Sequence, residues 1–187
     1  DETAGSANYV QGIAPSAKLL PLAFLDEGGS GSMLNGVKAI QYAVKRGAKV
    51  INASWGGAGC SRSLKEAIAG LEAQGVIFVA AAGNDSMNID RSPMYPASLD
   101  SPAQIVVGAT GDHDHMAEYS NYGALHVHLF APGSDIISTF PGGGLASLSG
   151  TSMATPFVTG AVALLLSADP QAGVAKIRQA LYGSAVK

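Results

Sequence analysis

Short apolar runs that alternate with amphipathic helical patterns are the feature that most restricts how this chain can fold. Residues 49–53, 76–81 and 105–109 are rich in Val, Ile and Ala and are bounded by glycine or polar residues, as buried strands are. Between them, apolar residues recur at helical spacing over residues 34–45 and 64–71. Strands that alternate with helices of this length predict parallel βαβ units with right-handed crossovers. We therefore expect an α/β fold built on a parallel sheet.

Weaker patterns complete the predicted order of elements. Residues 18–24 (KLLPLAF) read as a strand that Pro21 restricts to an edge. Ser61 or Ser63 is available to cap the second helix. The remaining predicted elements are short strands near 127–130 and 136–138, a helix that begins near Ser152, and a last helix at about 172–181. No linker-like tract interrupts them, so we expect one domain over residues 1–187.

Composition narrows the classes of function. Of the 187 residues 47% are apolar and only 13% are charged, which is typical of a compact core. The net charge of −3 provides no basic surface, so we expect no nucleic-acid partner. We also expect no membrane partner, since the apolar runs are shorter than a membrane span and no signal peptide is visible. The single cysteine, Cys60, excludes an internal disulfide.

One stretch, SGTSMATP at residues 149–156, runs from small hydroxyl residues directly into the most apolar part of the chain. A turn that leads into a buried helix places one side chain at the positive end of that helix. Ser152 occupies this place. A serine there is either the N-cap of the helix or a nucleophile, and a nucleophilic serine needs a base to take its proton. The stretch alone leaves both interpretations open.

Small residues follow the predicted strands at the edge where parallel sheets bind ligands. These segments are residues 29–31 (GSG), 54–56 (SWG) and 82–84 (AGN). Each is either an ordinary turn or part of a cleft that binds an extended peptide through main-chain groups. A phosphate site fits less well, because no Gly-Lys-Ser/Thr motif and no G-x-G-x-x-G motif follows a strand. The absence of a G-x-S-x-G elbow argues against an α/β-hydrolase esterase.

Several motifs together resemble those of the subtilases, the subtilisin-like serine peptidases. GTSMATP at 150–156 resembles the nucleophile motif, AAGN at 81–84 the segment with the oxyanion-hole asparagine, and VINASWGG at 50–57 the substrate-binding strand. Further motifs follow in the family's order at residues 12–17, 95–97, 107–110, 120–123 and 131–133. The resemblance covers about residues 12–181 and implies a three-layer, parallel-sheet subtilisin-like fold. It also implies a cis peptide at Tyr95-Pro96.

The resemblance implies a role for each site residue. Ser152 is the nucleophile that forms an acyl-enzyme, and the Asn84 side-chain amide joins the Ser152 backbone N–H in the oxyanion hole. Two backbone edges bind substrate as an added strand, and their residues are Gly29, Ser30, Gly31, Ser54, Trp55 and Gly56. The floor of the specificity pocket consists of Ala81, Ala82 and Gly83, which leaves room for a large apolar P1 side chain. Trp55 either narrows neighbouring subsites or simply packs.

The aspartate and histidine of the subtilase triad have no counterpart in this sequence. No aspartate is followed by Ser/Thr and Gly, and none of His113, His115, His126 and His128 is followed by glycine. All four histidines also follow Asn84, whereas the family's histidine precedes it. We therefore expect a subtilisin-like fold that lacks its N-terminal portion, in a chain that is inactive alone.

Two classes of function remain after this comparison of motifs. In the first, the chain is part of a serine endopeptidase whose Asp and His come from an upstream segment, with protein or peptide substrates. Its partner is then a complementing N-terminal fragment or a second copy. In the second, the chain is an inactive fragment or pseudoprotease that acts as a peptide-binding or association module.

Metal, cofactor and location follow from weaker signals. The four histidines either lie in a solvated loop and on one face of a strand or bind a transition metal. The resemblance implies no cofactor for catalysis but allows structural Ca²⁺, with residues 1–8 as a remnant of a calcium loop. It also implies a secreted or extracellular protein.

Overall fold

A four-stranded parallel sheet in the order β1-β2-β3-β4 lies at the centre of the computed structural model, which describes residues 10–186. The register pairs Ile51 with Phe78, Val79 with Ile105, and Ala109 with Ala131. Strands β5 and β6 form a separate antiparallel hairpin. The strands are β1 Val50–Ala53, β2 Ile77–Ala81, β3 Gln104–Thr110, β4 Leu129–Pro132, β5 Ile136–Phe140 and β6 Gly144–Leu148. The helices are α1 Met33–Lys45, α2 Arg62–Ala69, α3 Thr151–Ala168 and α4 Val174–Ser184.

Helices cover both faces of the sheet, because successive side chains of a buried strand point to opposite sides. On β2, Phe78 and Ala80 pack with α1 and α2, in a core that includes Ile40 and Ile68. The alternate residues Ile77 and Val79 pack with α3 and α4. The result is the predicted three-layer α/β fold.

Serine caps start the two helices of the first layer. The Ser32 hydroxyl accepts a hydrogen bond from the Asn35 N–H at 3.2 Å, and the Ser61 hydroxyl accepts one from the Leu64 N–H at 3.1 Å. Each cap satisfies one of the unpaired N–H groups of a first helical turn. Of the two predicted caps for α2, Ser61 is therefore the correct one.

The predicted strand at residues 18–24 is wrong. These residues form no β ladder, and within residues 10–186 β1 has β2 as its single neighbour. Pro21 cannot donate to a ladder, and the segment instead passes along a groove beside β1 and α1 with Leu19 90% exposed. The chain also forms one strand that was not predicted, β6, which pairs with β5.

Helix α3 is long and apolar enough to span a membrane by length and composition alone, with a mean hydropathy of 1.4 over 18 residues. The expectation that the apolar runs are too short for a span is therefore wrong for this segment. A central core helix passes the same test. Ala154, Val158 and Val162 of α3 are buried against the sheet.

Two histidines in the chain before β4 are held by specific hydrogen bonds. Asp90 Oδ1 contacts His126 Nδ1 at 2.8 Å and also accepts the His126 N–H at 3.1 Å. His128 Nδ1 accepts the Val106 N–H at 2.9 Å, which requires the ring to be neutral with its proton on Nε2. Because β4 begins at Leu129, neither histidine lies on a strand, and that prediction is corrected.

The surroundings of these groups change their protonation. Burial, together with the charges of Arg178 and His126 and against the opposing effect of Asp100, lowers the pKa of His128 to about 4. Burial alone would raise the pKa of Asp90, but hydrogen bonds from the Leu125 N–H and from His126 outweigh it and lower that pKa. The folded protein therefore resists protonation at both positions.

We predict that the protein loses stability in two separate acid ranges. As the pH falls from about 6.5 to about 4, the unfolded chain takes up a proton at His128 that the folded protein does not. The expected loss is about 2 kcal/mol, since one pKa unit corresponds to about 1.4 kcal/mol and solvent screens the half-buried ring. A further loss begins below pH 3.8 as Asp90 protonates.

Thermal unfolding as a function of pH, compared between the wild type and His128→Asn, measures this effect. Asparagine keeps a neutral acceptor for the Val106 N–H and should flatten the curve between pH 6.5 and 4. An unchanged slope in the variant would contradict the assignment.

Candidate active site

Ser152 is the second residue of α3 and does not cap it. The helix begins at Thr151, and its N-cap is Gly150, which makes no side-chain cap bond and has φ 155° and ψ 161°. Residues with a side chain rarely adopt that conformation. The N-cap interpretation of Ser152 is therefore excluded, because its hydroxyl does not cap the helix, and the nucleophile interpretation remains.

Two hydrogen bonds join Ser152 to Ser54, which follows β1. Ser152 Oγ donates to the Ser54 carbonyl at 3.2 Å, and Ser54 Oγ donates to the Ser152 carbonyl at 2.9 Å. Ser54 Oγ also accepts from Asn52 Nδ2 at 2.9 Å, and Asn52 Oδ1 accepts from Thr159 Oγ1 at 2.8 Å. These hydrogen bonds thus join the edge strand β1 and α3 at Ser152.

Thr151 orients the side chain of Asn84, which lies in the loop after β2. Asn84 Oδ1 accepts both the Thr151 N–H at 2.8 Å and the Thr151 hydroxyl at 2.9 Å. Thr151 Oγ1 in turn accepts the Gly83 N–H at 3.1 Å. Because its oxygen is bonded to Thr151, the exposed Asn84 side chain points its amide nitrogen away from Thr151.

Two donors remain unbonded at the start of α3. Neither Asn84 Nδ2 nor the Ser152 N–H forms a hydrogen bond within residues 10–186. The Ser152 N–H belongs to the first turn of α3, where N–H groups have no intrahelical partner and the helix dipole favours negative charge. Such a pair of free donors is suited to an oxyanion that develops next to Ser152 Oγ.

The backbone after Ser54 presents one open edge. Gly57 exchanges two hydrogen bonds with Tyr95, both at 2.8 Å, and the Tyr95–Pro96 peptide is cis as predicted. The N–H and C=O of Gly56 form no hydrogen bond within the described residues. Alternate residues of an extended chain present their backbone groups to opposite sides. Gly56 can therefore pair with an added strand.

Trp55 packs against Phe24 with ring centroids 5.3 Å apart at an interplanar angle of 79°. A side chain at Gly36 on α1 would contact both rings, with the nearest atoms at 3.5 Å. This contact provides the packing role that the sequence left open for Trp55. A restriction of neighbouring subsites by the same side chain stays a prediction.

Gly29, Ser30 and Gly31 lie in an exposed turn that folds onto Asp26. Asp26 Oδ1 accepts the N–H groups of Gly28 and Ser30, each at 2.9 Å. Gly31 lies against Phe24, so the turn is close to the ring that packs on Trp55. Residues 29–31 have no β partner here, and their role as a second backbone edge stays a prediction.

The predicted pocket floor is made of residues with different surroundings. Ala81 ends β2 and is buried, while the Ala82 side chain lies in a core with Ile89 and Val106. Gly83 has φ 103°, and any side chain there would collide with Asn121. The small size of these residues is thus explained by packing, and their contact with a P1 side chain stays a prediction.

The four histidines do not complete the site. None hydrogen-bonds to Ser152, and residues 10–186 hold no group of three His, Cys, Asp or Glu side chains that could bind a metal ion. His113 and His115 are exposed, and His126 and His128 are held by Asp90 and Val106. The structure therefore brings no such ligand group together among these residues, and the alternative of a transition-metal site stays a prediction. The calcium loop proposed for residues 1–8 lies outside the described part of the chain.

Sequence reasoning missed three residues that hold the site together. Thr151 orients Asn84, Asn52 orients Ser54, and the fully buried Asn121 bonds to the loop that carries Asn84. Thr151 and Asn121 stood inside recognised motifs, but a motif does not tell which member bonds to which. The roles of Thr151 and Asn121 depend on contacts between residues at least 34 positions apart.

Comparisons with known proteins agree with this geometry. Subtilisin DY of Bacillus licheniformis is 39% identical over 186 residues, which make up 99% of this chain and 65% of that protein. Subtilisin E of Bacillus subtilis (strain 168) is 39% identical over 177 residues, 94% of this chain and 46% of that protein. The chain thus spans about half to two thirds of the length of these curated relatives and matches their C-terminal part.

Solved structures extend the similarity to the fold. A cold adapted subtilisin-like serine proteinase superposes with a TM-score of 0.80 and 35% identity, over 87% of this chain and 58% of that one. The prenylagaramide maturation protease PagA gives a TM-score of 0.77 and 36% identity, over 87% and 61% of the two chains. The subtilase family profile matches residues 2–187. With its family motifs brought together around Ser152 and Asn84, the chain belongs to the subtilase family.

Proposed function

We propose that this chain carries the nucleophile and the oxyanion hole of a serine endopeptidase. The observation that supports the proposal best is the orientation of Asn84. Two hydrogen bonds from Thr151 hold its oxygen at 2.8 and 2.9 Å, and its amide nitrogen is left free at the start of α3, near Gly150. A structural asparagine at a helix start has no need of a free, exposed amide.

The reaction assigns one task to each group. Ser152 Oγ attacks the carbonyl carbon of the scissile peptide and gives its proton to a base. The oxyanion accepts hydrogen bonds from Asn84 Nδ2 and the Ser152 N–H. The base passes the proton to the leaving amine, and water then hydrolyses the acyl-enzyme.

Substrate is a protein or peptide bound as an added strand at Gly56. In the absence of a base, Ser152 Oγ donates to the Ser54 carbonyl, an acceptor on the same edge. This bond must break before attack.

The small residues Ala81 and Gly83 support a large apolar P1 side chain. Family membership supports a secreted or extracellular location, and no step of the mechanism uses a metal.

The base and its aspartate are supplied by a segment outside this sequence. Ser54 directly follows β1, the strand whose second edge is unpaired within the described residues. A parallel strand added to that edge brings its own carboxyl end beside Ser54 and Ser152. The groove along β1 has a volume of about 640 Å³ and is lined by apolar side chains that include Leu20, Ile40 and Leu166.

The open edge also supports the second candidate function, an inactive association module. An unpaired strand beside an apolar groove pairs readily with another chain. Both functions need the same groove, and they differ in whether Ser152 reacts after the groove is filled.

We expect Ser152 to react with a fluorophosphonate probe only when a complementing segment is present. The chain is mixed and refolded with the N-terminal part of subtilisin DY that precedes the matched region, and labelling is read by intact mass. Ser152→Ala is the control for site specificity. Labelling of the chain alone would show that it contains its own base. A stable complex that never labels would favour the association module.

Loss of the Asn84 amide should reduce catalysis without weakening substrate binding. In subtilisin itself, removal of the corresponding asparagine lowers kcat by about 10²–10³-fold, and we expect Asn84→Ala in the complemented protein to fall in that range. Steady-state kinetics on a peptide substrate should show kcat reduced and KM nearly unchanged. Asn35→Ala, which removes an exposed asparagine on α1, is the matched control. Equal kcat values for the two variants would exclude Asn84 from the oxyanion hole.

The chain alone should self-associate through the β1 groove. Sedimentation velocity is expected to show a concentration-dependent dimer, which converts to a one-to-one complex when the complementing segment is added. The reason is that both partners cover the same apolar surface and the same unpaired edge. A monomer at every concentration that melts in one sharp transition would contradict this prediction.

A further inference from the structure

Asn121 lies in the chain between β3 and β4, outside the groups that contact substrate, and is fully buried. Its side-chain oxygen accepts the N–H groups of Asp85 and Met87, both at 2.9 Å. These two residues follow Asn84 in the loop after β2. One side-chain atom therefore holds the C-terminal side of that loop.

The other polar atoms of Asn121 hold the N-terminal side. Its Nδ2 donates to the Ala82 carbonyl at 3.0 Å, and its second bond, to Asp85 Oδ2 at 3.3 Å, adds to the C-terminal side. Its backbone N–H donates to the Gly83 carbonyl at 2.9 Å. The contacts of this one residue thus lie on both sides of Asn84 and include none with Asn84 itself.

Asparagine is the residue type that this arrangement requires. The side chain must accept two N–H groups with one atom and donate two hydrogens with the other, which an amide does and a carboxylate cannot. The close approach of its amide to Gly83 leaves no space for a side chain at that position.

The segment that carries Asn121 is itself anchored. Ser120 Oγ accepts the Ala109 N–H of β3 at 2.9 Å. Beyond the site, the Tyr122 N–H donates to the Met87 carbonyl at 3.0 Å and the Ile89 N–H to the Tyr122 carbonyl at 2.8 Å. Strand β3 therefore fixes the position of Asn121, and Asn121 in turn fixes the position of the loop after β2.

We propose that Asn121 is a positioning residue that fixes the Asn84 amide in the oxyanion hole by holding the loop on both sides of it. This inference rests on the proposed function. The oxyanion hole then has two requirements for the position of the Asn84 amide. Thr151 sets the rotation of the Asn84 side chain, and Asn121 sets where its backbone lies.

The first test is a double-mutant cycle in the chain complemented with the subtilisin DY segment. Asn121→Ser should lower kcat by about 10–100-fold with KM little changed, since a misplacement of about 1 Å can cost about 100-fold. In the Asn84→Ala background the same substitution should lower kcat by less than about 2-fold, because the group it positions is gone. Ser101→Ala, which removes a buried hydroxyl bonded to Ile68, controls for general destabilisation.

Amide hydrogen exchange in the chain itself provides a readout that does not depend on activity. Asn121→Ser should speed exchange at Asp85 and Met87, because it removes the acceptor of both amides. Asn121→Asp keeps an acceptor but loses the donation to Ala82 and sets a buried carboxylate against Asp85 Oδ2, so its kcat should also fall. Unchanged exchange at Asp85 and Met87 in Asn121→Ser would overturn the assignment of the Asn121 oxygen as their acceptor.

Two further outcomes would overturn the proposal. One is an equal loss of kcat from Asn121→Ser in the wild-type and Asn84→Ala backgrounds, which would mean that Asn121 acts independently of Asn84. The other is an unchanged kcat with faster exchange, which would make its role purely structural. Failure of the complemented wild type to hydrolyse peptide would contradict the proposed function and not the positioning role of Asn121. That role would be contradicted by unchanged amide exchange at Asp85 and Met87 in Asn121→Ser.

Discussion

The pair of hydrogen bonds from Thr151 to the Asn84 oxygen is the interaction on which the site depends. It joins the loop after β2 to the first turn of α3, two parts of the chain that are 67 positions apart. The Thr151 N–H is one of the helix-start donors that lack an intrahelical partner, and leaving such a donor buried and unpaired costs about 1–3 kcal/mol. The same contact therefore starts the helix and orients the amide.

Close backbone approach makes this contact possible. Gly150 donates its N–H to the Gly133 carbonyl at 2.8 Å, and a side chain at Gly133 would collide with Ala109 on β3 and with the Gly150 carbonyl. The start of α3 is thus set against the end of the sheet by residues without side chains. Glycine lowers helix and strand stability elsewhere, but here it allows the segment that carries Ser152 to approach the strand ends.

The site also extends from a central strand to one edge of the sheet. Ser54 follows the edge strand β1, while Asn84 follows the fully buried central strand β2. The side of the site that carries Asn84 is therefore supported by packed layers and by Asn121. The side that carries Ser54 depends on a strand with one pairing partner within residues 10–186. This asymmetry is the physical basis for proposing that the base enters beside β1.

The sequence by itself determined the central elements. Residues 76–81 and 105–109 are apolar throughout and become β2 and β3, because both of their faces must be buried. The run at 49–53, which contains Lys49 and Asn52, becomes the less buried edge strand β1. The ordered motifs also identified Ser152 and Asn84 as candidate residues. The strand predicted at residues 18–24 failed because a strand needs a ladder partner, and composition carries no information about one.

Only the tertiary structure decided what the individual polar atoms do. It separated Ser152 from the cap at Gly150, occupied the Asn84 oxygen with Thr151, and surrounded Asn84 with the contacts of Asn121. Hydrogen bonds are short and directional, and these join residues that are distant in the chain, so no local pattern encodes them. Periodicity reports which face of an element is buried, whereas the chemistry of this site depends on which of two atoms in one amide remains free.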